Sequence, residues 1–424
     1  MTYGEILAHI YARGRFGIRP GLERIREILS RLGNPQERLA TVQIAGTNGK
    51  GSTGSFLASI MSAAGYRTAF FSSPHLSNFT ERFRIDGAEA AEDDVAAVAR
   101  RVLAVAPAEA TFFEIVTAMG FLLFAEQEVD LAIMEAGMGG RWDATNVSDG
   151  LLAVITPVSY DHCQYLGETL GAIAGEKAGI IRSGRPVVIA PQPPEALETI
   201  RRAAAAAGAP CHLWGEDFSC EKAGGGFVYR VGDYLLDGLV PGLRGRFQVV
   251  NMACAVTAAR LLGAPAFIVD DGDLRSGVAA ARWPGRMELF PGPPPILLDG
   301  AHNPAGAAAL ADSLADMAYR RLLLVVGVMA DKDWQELLEP LLPLAAEVIA
   351  VEPTLERALP AETLAGFCRE RGSAAAIGGT VGHGLEVAGG LAGEGDLVLV
   401  CGSLFTVGEA RSILTGREFM PIRG

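Results

Sequence analysis

A chain of 424 residues, half of them apolar and a fifth charged, has the make-up of a globular protein of two or three domains. Its formal charge of −13 excludes binding of nucleic acid over the whole surface, which depends on Lys and Arg neutralising phosphates, but leaves room for a small basic pocket. No apolar run approaches the ~20 residues of a membrane-spanning helix, and the opening MTYGEILAHIYARGRFGIRP lacks the features of a secretory signal, so a cytoplasmic protein is expected.

In chain order, short β-branched and apolar runs at 41–45, 68–71, 129–134, 151–155 and 186–190 alternate with helix-like segments, which predicts a parallel sheet covered by helices. An Ala-rich segment from Arg201 reads as the end of a helix that stops at Gly208. Between Glu216 and Gly245 the texture turns Gly-rich and alternating (GGGFVYRVGDYLLDGL), which predicts small antiparallel strands appended to the sheet. A helix over 249–262 follows, then the Pro- and Gly-dense WPGRMELFPGPPP, the candidate linker. Strand–helix alternation restarts with 296–298, 321–326, 347–351 and 396–400. A larger α/β domain over 1–284 and a smaller doubly wound one over 285–424 are therefore expected. The cysteines at 163, 211, 220, 254, 368 and 401 show no close pairing of the zinc or redox kind and are expected to be reduced thiols.

The segment TVQIAGTNGKGSTGSFLASIMSAAG joins a strand to a helix through a Gly-rich loop. Such a loop aims backbone N–H groups and a helix N-terminus at one point, which favours a phosphate. Lys50 adds a mobile positive charge, and Gly46, Gly49 and Gly51 let the backbone approach closely. The spacing departs from G-x-x-x-x-G-K-[ST], because a glycine stands between Lys50 and Ser52; on that general pattern alone a plain strand-to-helix turn is the alternative. Ser73 and Glu135 follow two predicted strands and His162 lies just beyond a third, and the carboxyl ends of an open α/β sheet gather on one side. Mg²⁺ takes oxygen ligands and bridges nucleotide phosphates, so one hydroxyl, one carboxylate and the phosphates suffice for an ion. Singly, these residues read better as a capping serine, a solvated glutamate and a core histidine.

GTNGKGS, with its extra glycine, closely resembles the phosphate loop of the folylpolyglutamate synthase family, whereas the related Mur ligases usually carry GTNGKT. Other segments that resemble the family follow in order over nearly the whole chain: FGIRPGLERIREILSRLGNPQ, SSPHLSNFTERFRIDG, TFFEIVTAMGF, MEAGMGGRWDATN, VSYDHCQYLG, IAGEKAGI, GRFQVVNMACA, WPGRME, LDGAHNP and CGSLFTVGEA. The resemblance implies a Mur-ligase-like P-loop ATPase domain with a parallel sheet, a smaller Rossmann-like C-terminal domain, and an active site in the cleft between them. It implies ligation of L-glutamate to dihydropteroate, to reduced folates, or to both, with ATP and two Mg²⁺ ions, in a monomeric protein. The γ-phosphoryl group of ATP would pass to the substrate carboxylate, and the amino group of glutamate would attack the acyl phosphate. Positioning and charge stabilisation govern such a step, and no protein nucleophile is needed.

By the same resemblance Gly49, Lys50, Gly51 and Ser52 meet the phosphates, Asn251 the adenine region, Arg286 the phosphates and Asp299 the ribose. Arg286 and Asp299 lie at or beyond the linker, so they reach ATP only when the domains close; their ordinary readings are a surface-paired arginine and an aspartate capping the helix after Pro304. Ser73 and Glu135 would bind the first ion, and Glu135 with His162 the second. Lys177 aligns with a lysine carbamylated by CO₂, which supplies an oxygen anion to the second ion; its ordinary reading is a surface Glu176/Lys177 pair. Thr111, Phe112, Phe113 and Glu114, with Trp142, Asp143 and Ala144, match dihydropteroate-binding segments, where aromatic rings stack on a planar heterocycle. Core packing is the alternative for Phe112 and Phe113. His302 and Ser403 are candidates for the glutamate side of the cleft. Lys50, Lys177, Arg286 and His302 form the expected catalytic set. Two other readings compete: a ligase acting on a UDP-linked peptidoglycan precursor, opposed by the GKGS loop and by the lack of an N-terminal UDP-binding domain, and a nucleotide-binding regulatory protein without amino-acid-dependent turnover.

Overall fold

The computed structural model describes residues 2–17, 19–263 and 266–420; Ile18, within the FGIRP stretch, lies outside them. Helices α1 (Tyr3–Tyr11) and α2 (Glu23–Arg31) precede the first strand, β1 (Thr41–Ala45), which leads through the Gly-rich loop into α3 (Lys50–Ala63). The chain continues with β2 (Thr68–Phe71), β3 (Phe83–Ile85), β4 (Ala88–Glu89), α4 (Glu92–Val105), α5 (Phe112–Glu126), β5 (Leu131–Glu135) and β6 (Leu152–Ile155). Next come α6 (Cys163–Leu166), α7 (Leu170–Lys177), β7 (Val187–Ile189), α8 (Pro194–Ala206) and β8 (Cys211–Leu213). These strands form one sheet in the order β4-β3-β2-β5-β1-β6-β7-β8, in which β3 alone runs antiparallel to its neighbours.

The strands are apolar throughout because both faces are covered. Phe71 and Met134 face a core built with α1, α2, α4 and α5, whereas their neighbours Phe70 and Ile133 face α3 and α9 (Gln248–Leu262) on the other side. Beyond β1, Ile155, Val187 and Ile189 pack on α7 and α8. The Gly-rich region forms β9 (Phe218–Ala223), β10 (Gly226–Val231) and β11 (Tyr234–Leu239), which correct the expectation of strands added to the main sheet. They make a separate three-stranded antiparallel sheet, and its buried Tyr229 and Leu236 pack on the core of α3 and α9 rather than pairing with β8.

Helix α10 (Asp271–Ala280) crosses α3 at Gly277, where an added Cβ would lie 2.4 Å from Ile60 Cα and 2.8 Å from its N. A backbone cannot yield as a flexible side chain does. Gly277→Ala is therefore expected to cost ~1–3 kcal/mol, read as a lower urea midpoint at unchanged m-value.

Part of the candidate linker is structured: β12 (Glu288–Phe290) pairs antiparallel with β13 (Ile296–Leu298). The remaining elements are α11 (Pro304–Leu314), β14 (Leu322–Val326), α12 (Trp334–Leu338), β15 (Ala345–Glu352), α13 (Ala361–Glu370), β16 (Ala375–Thr380), α14 (Val381–Leu391), β17 (Leu397–Cys401) and α15 (Leu404–Thr415). The second sheet runs β12-β13-β17-β14-β15-β16, parallel apart from β12, with α11, α12 and α13 on one face and α14 and α15 on the other. No helix among the described residues is long and apolar enough to cross a membrane.

Candidate active site

The loop between β1 and α3 has the backbone geometry its glycines allow. Gly46 has φ +153° and Gly49 φ +89°; a Cβ on the first would strike Thr156 Oγ1 and on the second would lie 2.4 Å from Asn251 Oδ1. The turn is thus packed from both sides while α3 begins at Lys50 with its first N–H groups free, which suits an anion. Lys50 Nζ donates to the carbonyls of Gly46 at 3.1 Å and Thr47 at 3.2 Å. Ser52 is buried and its Oγ accepts from Gln248 Nε2 at 3.2 Å. Asn251, buried, takes a place beneath the loop: its Nδ2 donates to Gln248 Oε1 at 2.9 Å and its Oδ1 accepts from Thr53 at 3.4 Å.

The carboxyl ends of β2, β5 and β6 open onto this loop. Ser73, Glu135, Gly51 and Arg286 share one pocket, although Arg286 lies far along the chain from the others. Glu135 is buried and accepts a hydrogen bond from the Ser73 backbone N–H at 3.3 Å. Burial pushes its carboxyl up to about 7, against the pull of Lys50 and Arg286, so the site gains from a further cation beside it. Among the described residues no three His, Cys, Asp or Glu side chains surround a common point. A first divalent ion would therefore draw on Ser73 and Glu135, which share this pocket, together with phosphate and water oxygens, a donor set that suits Mg²⁺. His162 stands in the left-handed region with φ +54° and its side chain is 43% exposed.

Lys177 ends α7 and is buried, which removes the reading as a surface pair with Glu176; Glu176 instead faces Arg141 at 3.4 Å. Lys177 Nζ donates to the Gly46 carbonyl at 2.9 Å, and burial, with Lys50 nearby, lowers the amine to about 7. The glycine loop after β5 makes this possible. A Cβ on Gly140 would lie 2.7 Å from the Lys177 carbonyl, so the loop can close on the end of α7 only without a side chain there.

Sequence reasoning missed a set of contacts across the cleft. Asp161 receives Lys332 Nζ at 2.6 Å and lies 3.8 Å from His302 Nε2, and against burial its neighbours His162, Lys332 and His302 hold its carboxyl well below the usual range. Asn48, in the phosphate loop, exchanges side-chain hydrogen bonds of 3.2 and 3.0 Å with Asn303, the N-cap of α11. Asp161 stood directly before His162 in a quoted motif; Lys332 had no signal beyond an isolated lysine in a polar turn. His302 Nδ1 lies 2.9 Å from the Gly300 carbonyl, and burial, with Arg286 and Lys332 nearby, lowers its imidazole to about 4, so it is neutral at pH 7.

Several expected ligand contacts have structural partners. Asp299 caps no helix: its oxygens accept from the N–H groups of Met287 and Ala301, both at 2.9 Å, fixing the turn that carries Arg286, and the carboxyl is buried. Ser403 is buried and caps α15, accepting from Thr406 N–H at 3.1 Å. Thr111 and Glu114 form a capping box on α5. Phe112 is buried, stacked on Tyr11 at 5.5 Å, whereas Phe113 turns toward Gly137 at the end of β5. Asp143 accepts from the N–H groups of Met138 and Thr145 and is buried with Ala144, while Trp142 is exposed and able to face a ligand.

Residues 44–259 match the Mur ligase middle domain and residues 285–404 the Mur ligase glutamate ligase domain. The chain is 34% identical to the dihydrofolate synthase/folylpolyglutamate synthase of Bacillus subtilis over 430 residues, 97% of this chain and 99% of that protein. Escherichia coli FolC in complex with DHPP and ADP superposes with a TM-score of 0.90 at 31% identity, covering 97% of this chain and 98% of that one. A bifunctional folylpolyglutamate synthase/dihydrofolate synthase with Mn, AMPPNP and L-glutamate bound gives 0.87 at 31% identity, with 97% and 98% covered. With both domain signatures in place and end-to-end similarity to such ligases, the chain belongs to the dihydrofolate synthase/folylpolyglutamate synthase family of Mur ligases.

Proposed function

We propose that this protein ligates L-glutamate, with ATP, both to dihydropteroate and to the glutamate tail of reduced folates, as a cytoplasmic monomer. The observation that carries the reading is the pocket shared by the phosphate loop, Ser73, Glu135 and Arg286, which joins residues of both domain signatures. We divide the chain at 284/285, so that Arg286 belongs to the C-terminal domain and its reach to the loop depends on closure. The loop N–H groups, Gly49, Gly51, Ser52 and Lys50 hold the phosphates, and Arg286 neutralises the charge that builds on the transferred group. Asn251 and Asp299 act on the nucleotide through the loop and turn they support. Ser73 and Glu135 would hold one Mg²⁺, and Glu135, His162 and carbamylated Lys177 a second, and these ions would supply further neutralisation of phosphate charge. Exposed Trp142, with Phe113, is our candidate for ring contact with the pterin, and His302 for the side of the cleft that receives glutamate.

Phosphate release measured with dihydropteroate, tetrahydrofolate and a UDP-muramyl peptide, each with and without glutamate, tests this. Glutamate-dependent release with both pterins and none with the peptide is expected; release only with the peptide, or none that needs an amino acid, refutes it. Arg286→Ala is expected to lower kcat/KM for ATP by ~10²-fold. Unchanged kinetics for ATP and glutamate would remove the closure argument.

A further inference from the structure

The motif SSPHLSNFTERFRIDG contributes Ser73 to the reaction as proposed, but its second half has been given no part in it. Arg84, on β3, lines the same pocket as Ser73, Glu135 and Arg286. Its guanidinium lies over the Trp283 ring, 5.2 Å from the centroid. The same indole fills the space beside the phosphate loop, since a Cβ on Gly51 would fall 2.7 Å from Trp283 Nε1. One aromatic ring thus separates Arg84 from the loop.

The charge of Arg84 is left over. Of the carboxylates whose fields reach it, Glu81 is committed to backbone: it accepts from the N–H groups of Leu76 at 2.7 Å and of Ser77 and Asn78 at 3.1 Å each. Glu89 accepts from Thr80 Oγ1 at 2.8 Å and pairs with Arg417 at 3.4 Å. Arg84 Nε is buried with no acceptor, and among the described residues its guanidinium joins no ion pair. A half-buried guanidinium whose Nε lacks an acceptor is stabilised by an anion that completes it.

We propose that Arg84 binds the carboxylate of the acceptor substrate and holds it for phosphoryl transfer, a role that rests on the ligase reading of the site. Two anions meet in that reaction. The terminal phosphate of the nucleotide is served by Lys50, Arg286 and the loop N–H groups, whereas Arg84, across the indole, is free for the other. A planar guanidinium fork matches a planar carboxylate. One carboxylate oxygen attacks the γ-phosphorus as the bond to the β-phosphate oxygen breaks and ADP leaves with the electron pair. The glutamate amine then attacks the acyl carbon, phosphate departs and the nitrogen loses a proton.

Titration calorimetry in the presence of Mg²⁺ and AMPPNP, with dihydropteroate and its primary carboxamide as ligands, tests the assignment. The wild type is expected to bind the carboxylate ~10–100-fold more tightly than the carboxamide. Arg84→Gln is expected to abolish that preference by weakening the carboxylate alone, with AMPPNP affinity unchanged, and Arg84→Lys to restore part of it. Arg84→Met, which keeps an apolar stem over Trp283, is the second neutral variant should the glutamine variant melt early. Equal loss of both ligands, an intact preference, or weakened AMPPNP binding would overturn the proposal. A wild type with no glutamate-dependent turnover of any pterin would instead remove the ligase reading, and the Arg84 assignment with it.

Discussion

Lys50→Ala is expected to lower glutamate-dependent ATP turnover by ~10²–10³-fold while leaving the melting temperature nearly unchanged. The two outcomes separate because of where the ammonium lies. It is half-buried and donates to the carbonyls of Gly46 and Thr47 rather than packing in a core, so its removal opens no core cavity. A bound phosphate would take it over from those carbonyls, and its charge acts where negative charge develops in the transition state. Stopped assays of phosphate release alongside thermal melts give both readouts. Near-normal turnover with pterin and glutamate would show that the loop is not the phosphate site.

The parent protein is expected to show a carbamate resonance with ¹³C-bicarbonate, and Lys177→Ala is expected to remove it and to lower activity by ~10²-fold. CO₂ adds to a neutral amine with loss of a proton, and a buried lysine lowered to about 7 is neutral in a large fraction of molecules at physiological pH. Carbamate occupancy is accordingly expected to rise with pH through that value. A free ammonium close enough for its charge to reach His162 would repel a second cation, whereas a carbamate would offer it a hard oxygen ligand. The competing account makes Lys177 a cation that merely holds the Gly46 carbonyl, and it predicts an activity loss with no carbamate signal in active protein. That result, or full activity of the variant, rejects carbamylation.

Local signals were read well where residue type alone dictates structure. The strands at 41–45 and 68–71 appear with the expected bounds because apolar runs there are cut off by glycine and serine at their ends. Ala375–Thr380 carries no strand signal: AAIGGT has little β-propensity and pairs only because β15 offers an edge. β12 was hidden in a Pro-rich stretch for the same reason, since its pairing with β13 is decided by the second core. At the candidate site, Thr111, Glu114, Asp143 and Ser403 carry side chains that a motif match marks for ligands, yet here they close capping boxes and turns around it. Arg84, Asp161, Lys332 and Asn303 come to the cleft only through tertiary folding; Lys332 meets an aspartate 171 positions earlier, a pairing no local pattern announces.

The exchange between Asn48 and Asn303 gives the phosphate loop a grip on the far domain through the residue that also caps α11. Any ligand that draws the two asparagines together lowers the free energy of the same closed arrangement that the other ligands need. If nucleotide and amino acid each favour the arrangement in which these asparagines meet, each would strengthen the other's binding by one common factor, whichever arrives first, so that the order of addition could alter the path of assembly but not the stability of the completed complex.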